Sequence, residues 1–243
     1  EEVVSAIRFD EEKGYYIVDG TVAGDIKLAI STSNEKYAEF IITVHVGNGE
    51  KETPYYIFNE TDLSKIGSVY GLNDHFKLMN NIVLSSSFAP IGYSEVDAKY
   101  VGFSGSFDGQ FNTISGLNLV DGEYSNAGLF SSINTGATVS NLTVLNANIS
   151  GTYTNVGVLA GVVDGSVDRI AVLNSTVTNK ANDSNTGAMA GVVSGSAKLV
   201  YADNATINVG TDVAITGAVV GGLFGKINKT TVQASYVNNS TIN

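Results

Sequence analysis

The chain has 243 residues, of which 43% are hydrophobic and only 15% charged. That is enough apolar material for a buried core and too much for global disorder. The absence of cysteine excludes a disulfide scaffold, a thiolate zinc site and a cysteine nucleophile, and two histidines exclude any three-histidine metal site. A net charge of −11 argues against nucleic acid and against a polybasic membrane patch. No apolar run approaches the roughly 20 residues that span a bilayer, so no membrane insertion is expected in this segment.

The charge is unevenly placed. Residues 1–127 carry 19 acids and 8 bases, whereas residues 128–243 carry 5 of each. The second half is an almost uncharged run of Gly, Asn, Ser, Thr, Ala and Val. Main-chain pairing, rather than ion pairs, must hold it together.

In chain order, residues 1–53 form a first module with 11 of the 24 acids. Val3–Phe9, Tyr15–Val18, Asp25–Ile30 and Ala38–Val46 alternate as strands, which predicts a small, Ig-like β-sandwich or part of one. Thr53-Pro54 reads as a hinge, and residues 54–243 as a second domain. Thr61–Tyr70 predicts a single short helix. Leu63, Ile66 and Tyr70 share its face, and Thr61 or Asn59 can cap it. Set before a β-stack, it would cover the stack's open end. Phe76–Leu84 and Phe103–Leu119 then read as the first, divergent coils, with a tight turn at Asp108-Gly109.

A repeat follows. Gly128-Leu-Phe, Gly157-Val-Leu-Ala-Gly, Gly187-Ala-Met-Ala-Gly and Gly222-Leu-Phe-Gly begin four similar units, 29, 30 and 35 residues apart. A second anchor lies further on in each: Asn146, Asn174, Asn204 and Asn239. The Gly-to-Asn offset is 17 in the last three units and 18 in the first, which one extra residue near Thr135–Thr138 would explain. Within the units, Val139-Ser-Asn-Leu-Thr-Val-Leu and Val167-Asp-Arg-Ile-Ala-Val-Leu alternate largely at period two, as half-buried strands do. A unit of about 30 residues cannot bury its own apolar face, but stacked copies can. The reading is therefore all-β: a right-handed parallel β-helix of about six coils with a rise of about 4.8 Å per coil, a short capping helix, and the Ig-like module in front. The in-phase asparagines are expected to form a structural amide ladder at one corner. The chain stops at Asn243 in mid-repeat, so a longer multidomain protein is expected, with this segment monomeric within it.

These residues resemble a known family. The Gly-Leu-Phe and Gly-Val-Leu-Ala-Gly units, each followed by strands and Asn-Ser-Thr, are similar to the GLUG-repeat region of large bacterial surface adhesins. Ala89-Pro-Ile-Gly and Phe103-Ser-Gly-Ser-Phe-Asp-Gly-Gln-Phe-Asn-Thr-Ile-Ser-Gly-Leu resemble the block that precedes those repeats. The same arrangement occurs in the non-catalytic N-terminal part of the IgA-protease family of zinc peptidases. The match covers residues 54–243. It implies an extracellular, cell-surface adhesin or stalk without enzymatic activity or cofactor, whose partner is a host or environmental glycan or surface protein. The peptidase relatives carry HExxH elsewhere in their chains. His45 and His75 here do not form that motif.

A polysaccharide-active β-helix enzyme needs carboxylates stacked over several coils. Asp164 has Ser194 and Lys229 as its equivalents and Asp168 has Lys198 and Gln233, and Arg169 beside them completes no catalytic set. Asp108 alone falls far short of a calcium site. Asp19, Asp25, Glu35 and Glu39 suit a solvated strand face, so no metal site is expected. Nine Asn-x-Ser/Thr sequons, among them Asn59, Asn141, Asn148 and Asn182, follow largely from the composition. Tyrosines crowd the first 153 residues, and exposed aromatics suit glycan or protein surfaces. The predicted ligand surface is Tyr93, Tyr100 and Tyr124, on loops that interrupt the coil pattern. Tyr153 belongs to the same tyrosine-rich set.

Overall fold

The computed structural model describes residues 4–10, 15–20, 24–31, 37–44, 47–85, 88–94, 99–121, 124–210 and 214–243. The chain divides into two compact units, Glu1–Tyr55 and Tyr56–Asn243. In the first, Val4–Asp10 pairs antiparallel with Tyr15–Gly20, and Gly24–Ser31 pairs antiparallel with Tyr37–Val44. The strand expectation is met in the backbone. The sandwich packing and the Asp19, Asp25, Glu35, Glu39 and His45 side chains lie outside the described residues.

The second unit is a parallel β-solenoid of about five turns, followed by strands of a partial further turn, against the six coils expected. Every pairing between successive coils is parallel and in register. The first face is bent into two arms. Arm one runs through His75–Leu78, Ser106–Asp108, the start of Thr138–Leu145, the start of Ser166–Leu173, Ser196–Lys198 and Val232–Gln233. Arm two runs through Ile82–Val83, Thr113–Ser115, the ends of the same two long strands, Tyr201–Asp203 and Tyr236–Asn238. A second face stacks Asn118–Val120, Asn148–Gly151, Thr176–Asn179, Thr206–Val209 and Thr241–Ile242. Two short faces follow, one through Asn126–Ala127, Asn155–Val156, Asn185–Gly187 and Val219–Gly221, the other through Phe130–Ile133, Ala160–Val163, Ala190–Val193 and Phe224–Ile227.

The bend in the first face explains an irregularity of the sequence. Val139, Leu142 and Val144 are all buried, as are Val167, Ile170 and Val172, although each trio steps by three residues and then by two. Asn141 (φ 53) and Arg169 (φ 54) stand in left-handed backbone between the arms. That turn resets the alternation, so both arms point their apolar residues inward. The inside is filled by columns of like residues. Phe76, Phe103, Phe107 and Phe130 touch ring to ring at 5.2–6.0 Å in the first coils. In later coils Val139, Val167 and Ala197 continue the column of Phe107, and Ile149, Val177 and Ile207 that of Leu119. Burying one such side chain is worth about 1.5–3 kcal/mol.

Two expectations about register need correcting. The fourth unit begins at Gly221, which pairs with Gly187, and not at Gly222. The extra residue in that unit is taken up later: Val193 pairs with Ile227, but Ala197 with Val232. The first unit differs at two places rather than one. Its turn from Ile133 to Thr138 is two residues longer than that from Val163 to Ser166, and its Gly128 corner is one shorter. The repeat glycines serve close approach, since a Cβ at Gly157 would stand 2.3 Å from Ala190 Cα.

The predicted helix is shorter than expected. Helix α1 covers Glu60–Ser64, and Asn59 is its N-cap, its side chain accepting from Asp62 N at 3.0 Å. Leu63 and Ile66 are buried. Glu60 Oε1 accepts from Ser85 N at 2.7 Å, which ties the helix to the first coil. No helix among the described residues is long and apolar enough to cross a membrane.

Candidate functional site

The predicted ligand tyrosines come together. Tyr93–Ser94 and Lys99–Tyr100 pair antiparallel, with Tyr93 opposite Tyr100, as a hairpin that leaves the coil between Ile91 and Phe103. Both of those residues rejoin the stack, Ile91 bridging Phe130 and Phe103 bridging Ile133. From the next coil, Tyr124 packs edge-on against Tyr93, ring centroids 4.7 Å apart at 87°. Both rings are half-buried. The Tyr100 side chain, residues 95–98 and residues 122–123 lie outside the described residues.

Beside Tyr93 is an open cleft of about 710 Å³ between α1 on one side and Ser85 and Phe88–Ile91 on the other. Its volume is in the range of sites for small molecules. Leu63, Phe88 and Ile91 form its apolar floor, while Glu60, Ser64 and Ser68 supply polar groups. The Glu60 carboxylate is held by the amide and hydroxyl of Ser85 at 2.7 and 2.8 Å. Behind the helix, the hydrogen bond from Lys65 Nζ to Asp62 raises the lysine pKa. This geometry offers an aromatic edge, hydroxyls and one oriented carboxylate. It suits reversible binding.

The four corner asparagines have another arrangement than a continuous ladder. Asn146, Asn174, Asn204 and Asn239 share left-handed backbone with φ between 46 and 53, which asparagine tolerates well. All four are exposed. Asn204 Nδ2 donates to Asn174 Oδ1 at 3.0 Å, whereas Asn239 Nδ2 donates to Asp203 Oδ1 at 3.1 Å. Their phase in the sequence reflects the backbone turn first and the amide contact second.

A different asparagine column forms a three-rung ladder. Asn185 Nδ2 donates to Asn155 Oδ1 and Asn155 Nδ2 to Asn126 Oδ1, both at 2.8 Å. The signal was present, since each of these asparagines stands two residues before a repeat glycine. Asn179 is fully buried and its side chain makes four hydrogen bonds. It accepts from Tyr153 N and Ala181 N and donates to Tyr153 O and Thr186 Oγ1, all within 3.2 Å. Tyr153 itself is 0% exposed, and its hydroxyl donates to Ser150 O and Leu119 O. It is a core residue and leaves the set of candidate binding tyrosines.

The remaining charged candidates are dispersed. Asp108 Oδ1 accepts from Gln110 N and Asn141 Nδ2, as a turn aspartate does. Asp168 pairs with Arg169, and its column neighbours are Ser140 and Lys198. His75 Nδ1 is 2.6 Å from Ser106 Oγ. Among the described residues, no three His, Asp or Glu side chains gather as a metal site.

No family model matches the chain. A stretch of 134 residues, 51% of this chain, is 31% identical to Halomucin of Haloquadratum walsbyi and covers 1% of that protein. The chain thus spans a very small part of this relative's length. Among solved structures, a protein of Bacteroides ovatus, provisionally named an immunoglobulin A1 protease, superposes with a TM-score of 0.51. That match has 19% identity over 81% of this chain and 71% of the other. At this identity the likeness shows a shared fold.

Proposed function

We propose that this chain is a non-enzymatic, GLUG-type segment of a secreted or cell-surface protein, which holds a ligand-binding cleft on a β-solenoid stalk. The observation that carries the reading is the register: equivalent side chains of successive coils spend their hydrogen-bonding and packing capacity on one another. A stack of this kind is quasi-one-dimensional, so repeats lengthen it without changing its cross-section. Similarity to Halomucin, a protein named as a mucin, supports an extracellular setting. The Tyr93–Tyr124 pair and the adjoining cleft are the proposed contact with a glycan or surface protein.

A second reading is favoured by the Bacteroides ovatus neighbour: a non-catalytic segment of an IgA-protease-like metallopeptidase. An HExxH motif elsewhere in the full-length protein would select it.

The test is retention of the purified chain on an array of glycans and extracellular proteins, with product analysis of every spot. At least one class should retain it, and Tyr93→Ala with Tyr124→Ala should weaken that binding about tenfold or more. Cleavage of any arrayed glycan or protein would overturn the non-enzymatic reading. Retention unaffected by the two substitutions would remove the cleft from it.

A further inference from the structure

Two corners of the solenoid's second to fifth turns, and of the partial turn after them, are built differently. At the corner after arm two, the left-handed positions are Gly116, Asn146, Asn174, Asn204 and Asn239, residue types that adopt this backbone at low cost. At the corner between the arms they are Gln110 (φ 51) with Phe111 (φ 60), then Asn141 (φ 53), Arg169 (φ 54), Leu199 (φ 54) and Ala234 (φ 48). Phenylalanine, arginine and leucine are penalised there by the clash of Cβ with the backbone. Strain of this kind persists where the surroundings impose it and concentrates at functional sites. The inward packing of both arms requires left-handed backbone here but not these residue types, since Phe111 is 76% and Leu199 40% exposed.

These strained residues edge a groove of about 200 Å³. On one side stand Phe111, Arg169 and Leu199. On the other is Tyr201, whose ring stacks on Tyr236 at 5.0 Å and 9°. Thr143 and Ala171 occupy the arm-two column that leads to Tyr201, and these smaller side chains leave room between the walls. Arg169 is held in place through Nη1, which donates to Asp168 and to Asn141 Oδ1. Its Nε and Nη2 do not take part in those two bonds. The ion pair with Asp168 compensates Arg169, the one charged residue of the lining, while the exposed Lys198 stands one rung on from Asp168; Asp168 Oδ1 is buried with no hydrogen-bond partner among the described residues.

We infer that this corner groove binds one ring of a neutral saccharide chain. The C–H face of a pyranose is apolar and flat, and matches an exposed aromatic wall. Its hydroxyls match the guanidinium, amide and hydroxyl groups at the rim. The volume is below the roughly 300 Å³ at which sites for larger small molecules begin. It suits a single ring, with the rest of the chain passing over the open surface. This site is separate from the Tyr93 cleft and stands whether or not that cleft binds anything.

The test is titration of the isotopically labelled chain with neutral oligosaccharides of glucose, mannose, galactose and xylose, and with oligogalacturonate as the charged comparison, followed by NMR. At least one neutral sugar should shift the amides around Phe111, Asn141, Arg169 and Leu199 at millimolar concentration. Phe111→Ala and Tyr201→Ala should each weaken that binding about tenfold. Leu199→Asn should weaken it while raising the melting temperature, because it exchanges a strained side chain for a tolerant one. The folded spectrum of each variant separates lost binding from lost structure. The absence of shifts with every neutral sugar, a preference for oligogalacturonate, or shifts abolished by Tyr93→Ala but not by Phe111→Ala would each overturn the proposal.

Discussion

Asn179 shows what a polar side chain does inside this molecule. Its amide fills all four of its hydrogen-bonding positions at zero exposure, joining Tyr153 in one coil to Ala181 and Thr186 in the next. Replacing it with alanine orphans the buried Ala181 amide and Thr186 hydroxyl and removes two bonds to Tyr153. Each such orphan costs about 1–3 kcal/mol, so Asn179→Ala should lose about 2–4 kcal/mol in urea unfolding. A loss under about 1 kcal/mol would mean that water replaces the side chain. Two glycines separate two reasons for glycine. Gly157 has no room for a Cβ, with Ala190 Cα at 2.3 Å and Ala190 N at 2.4 Å. Gly136 has nothing within 4 Å but stands at φ 88. Gly157→Ala should therefore cost about 2–4 kcal/mol or prevent folding. Gly136→Ala should cost about 1 kcal/mol, through backbone strain alone. Thermal melts of the pair check both; equal losses would refute the distinction.

At the level of elements, the informative pieces are those that depart from the coil. The hairpin of Tyr93 and Tyr100 is inserted between Ile91 and Phe103, which both rejoin the stack. The coil therefore tolerates an excursion without losing register. Alternation in Val139–Leu145 announced a strand but not its bend. A left-handed residue at Asn141 looks like any polar position in sequence, and only the burial of both Val139 and Leu142, three residues apart, reveals it. The same holds for the Asn126, Asn155 and Asn185 ladder. Spacing shows that asparagines recur, but their amides meet only if the backbones on which they stand are paired.

For the whole molecule, stability should follow position along the stack. Rungs in the middle are hydrogen-bonded on both sides: Thr138–Leu145 pairs with strands before and after it, as does Thr176–Asn179. Tyr236–Asn238 and Thr241–Ile242 pair on one side. Hydrogen exchange should consequently be slowest at amides such as Val144, Val172 and Val177, and fastest, among solenoid strands, at Val237 and Ile242. Uniform protection along the chain would show that the solenoid opens as one unit and contradict nearest-neighbour stacking.

Much of this architecture was determined by the amino-acid order alone. A repeat of about 30 residues with alternating apolar positions has few ways to bury itself, and stacking makes like positions meet, so the solenoid and its apolar columns could be read without coordinates. The Tyr93 and Tyr124 contact, the burial of Tyr153, the four-bond Asn179 and the strained corner at Phe111, Arg169 and Leu199 were decided only by the tertiary structure. Each depends on which residue of one coil lies above which residue of the next. Insertions of one or two residues at the corners set that alignment, and their compensation is a matter of three-dimensional packing rather than of period.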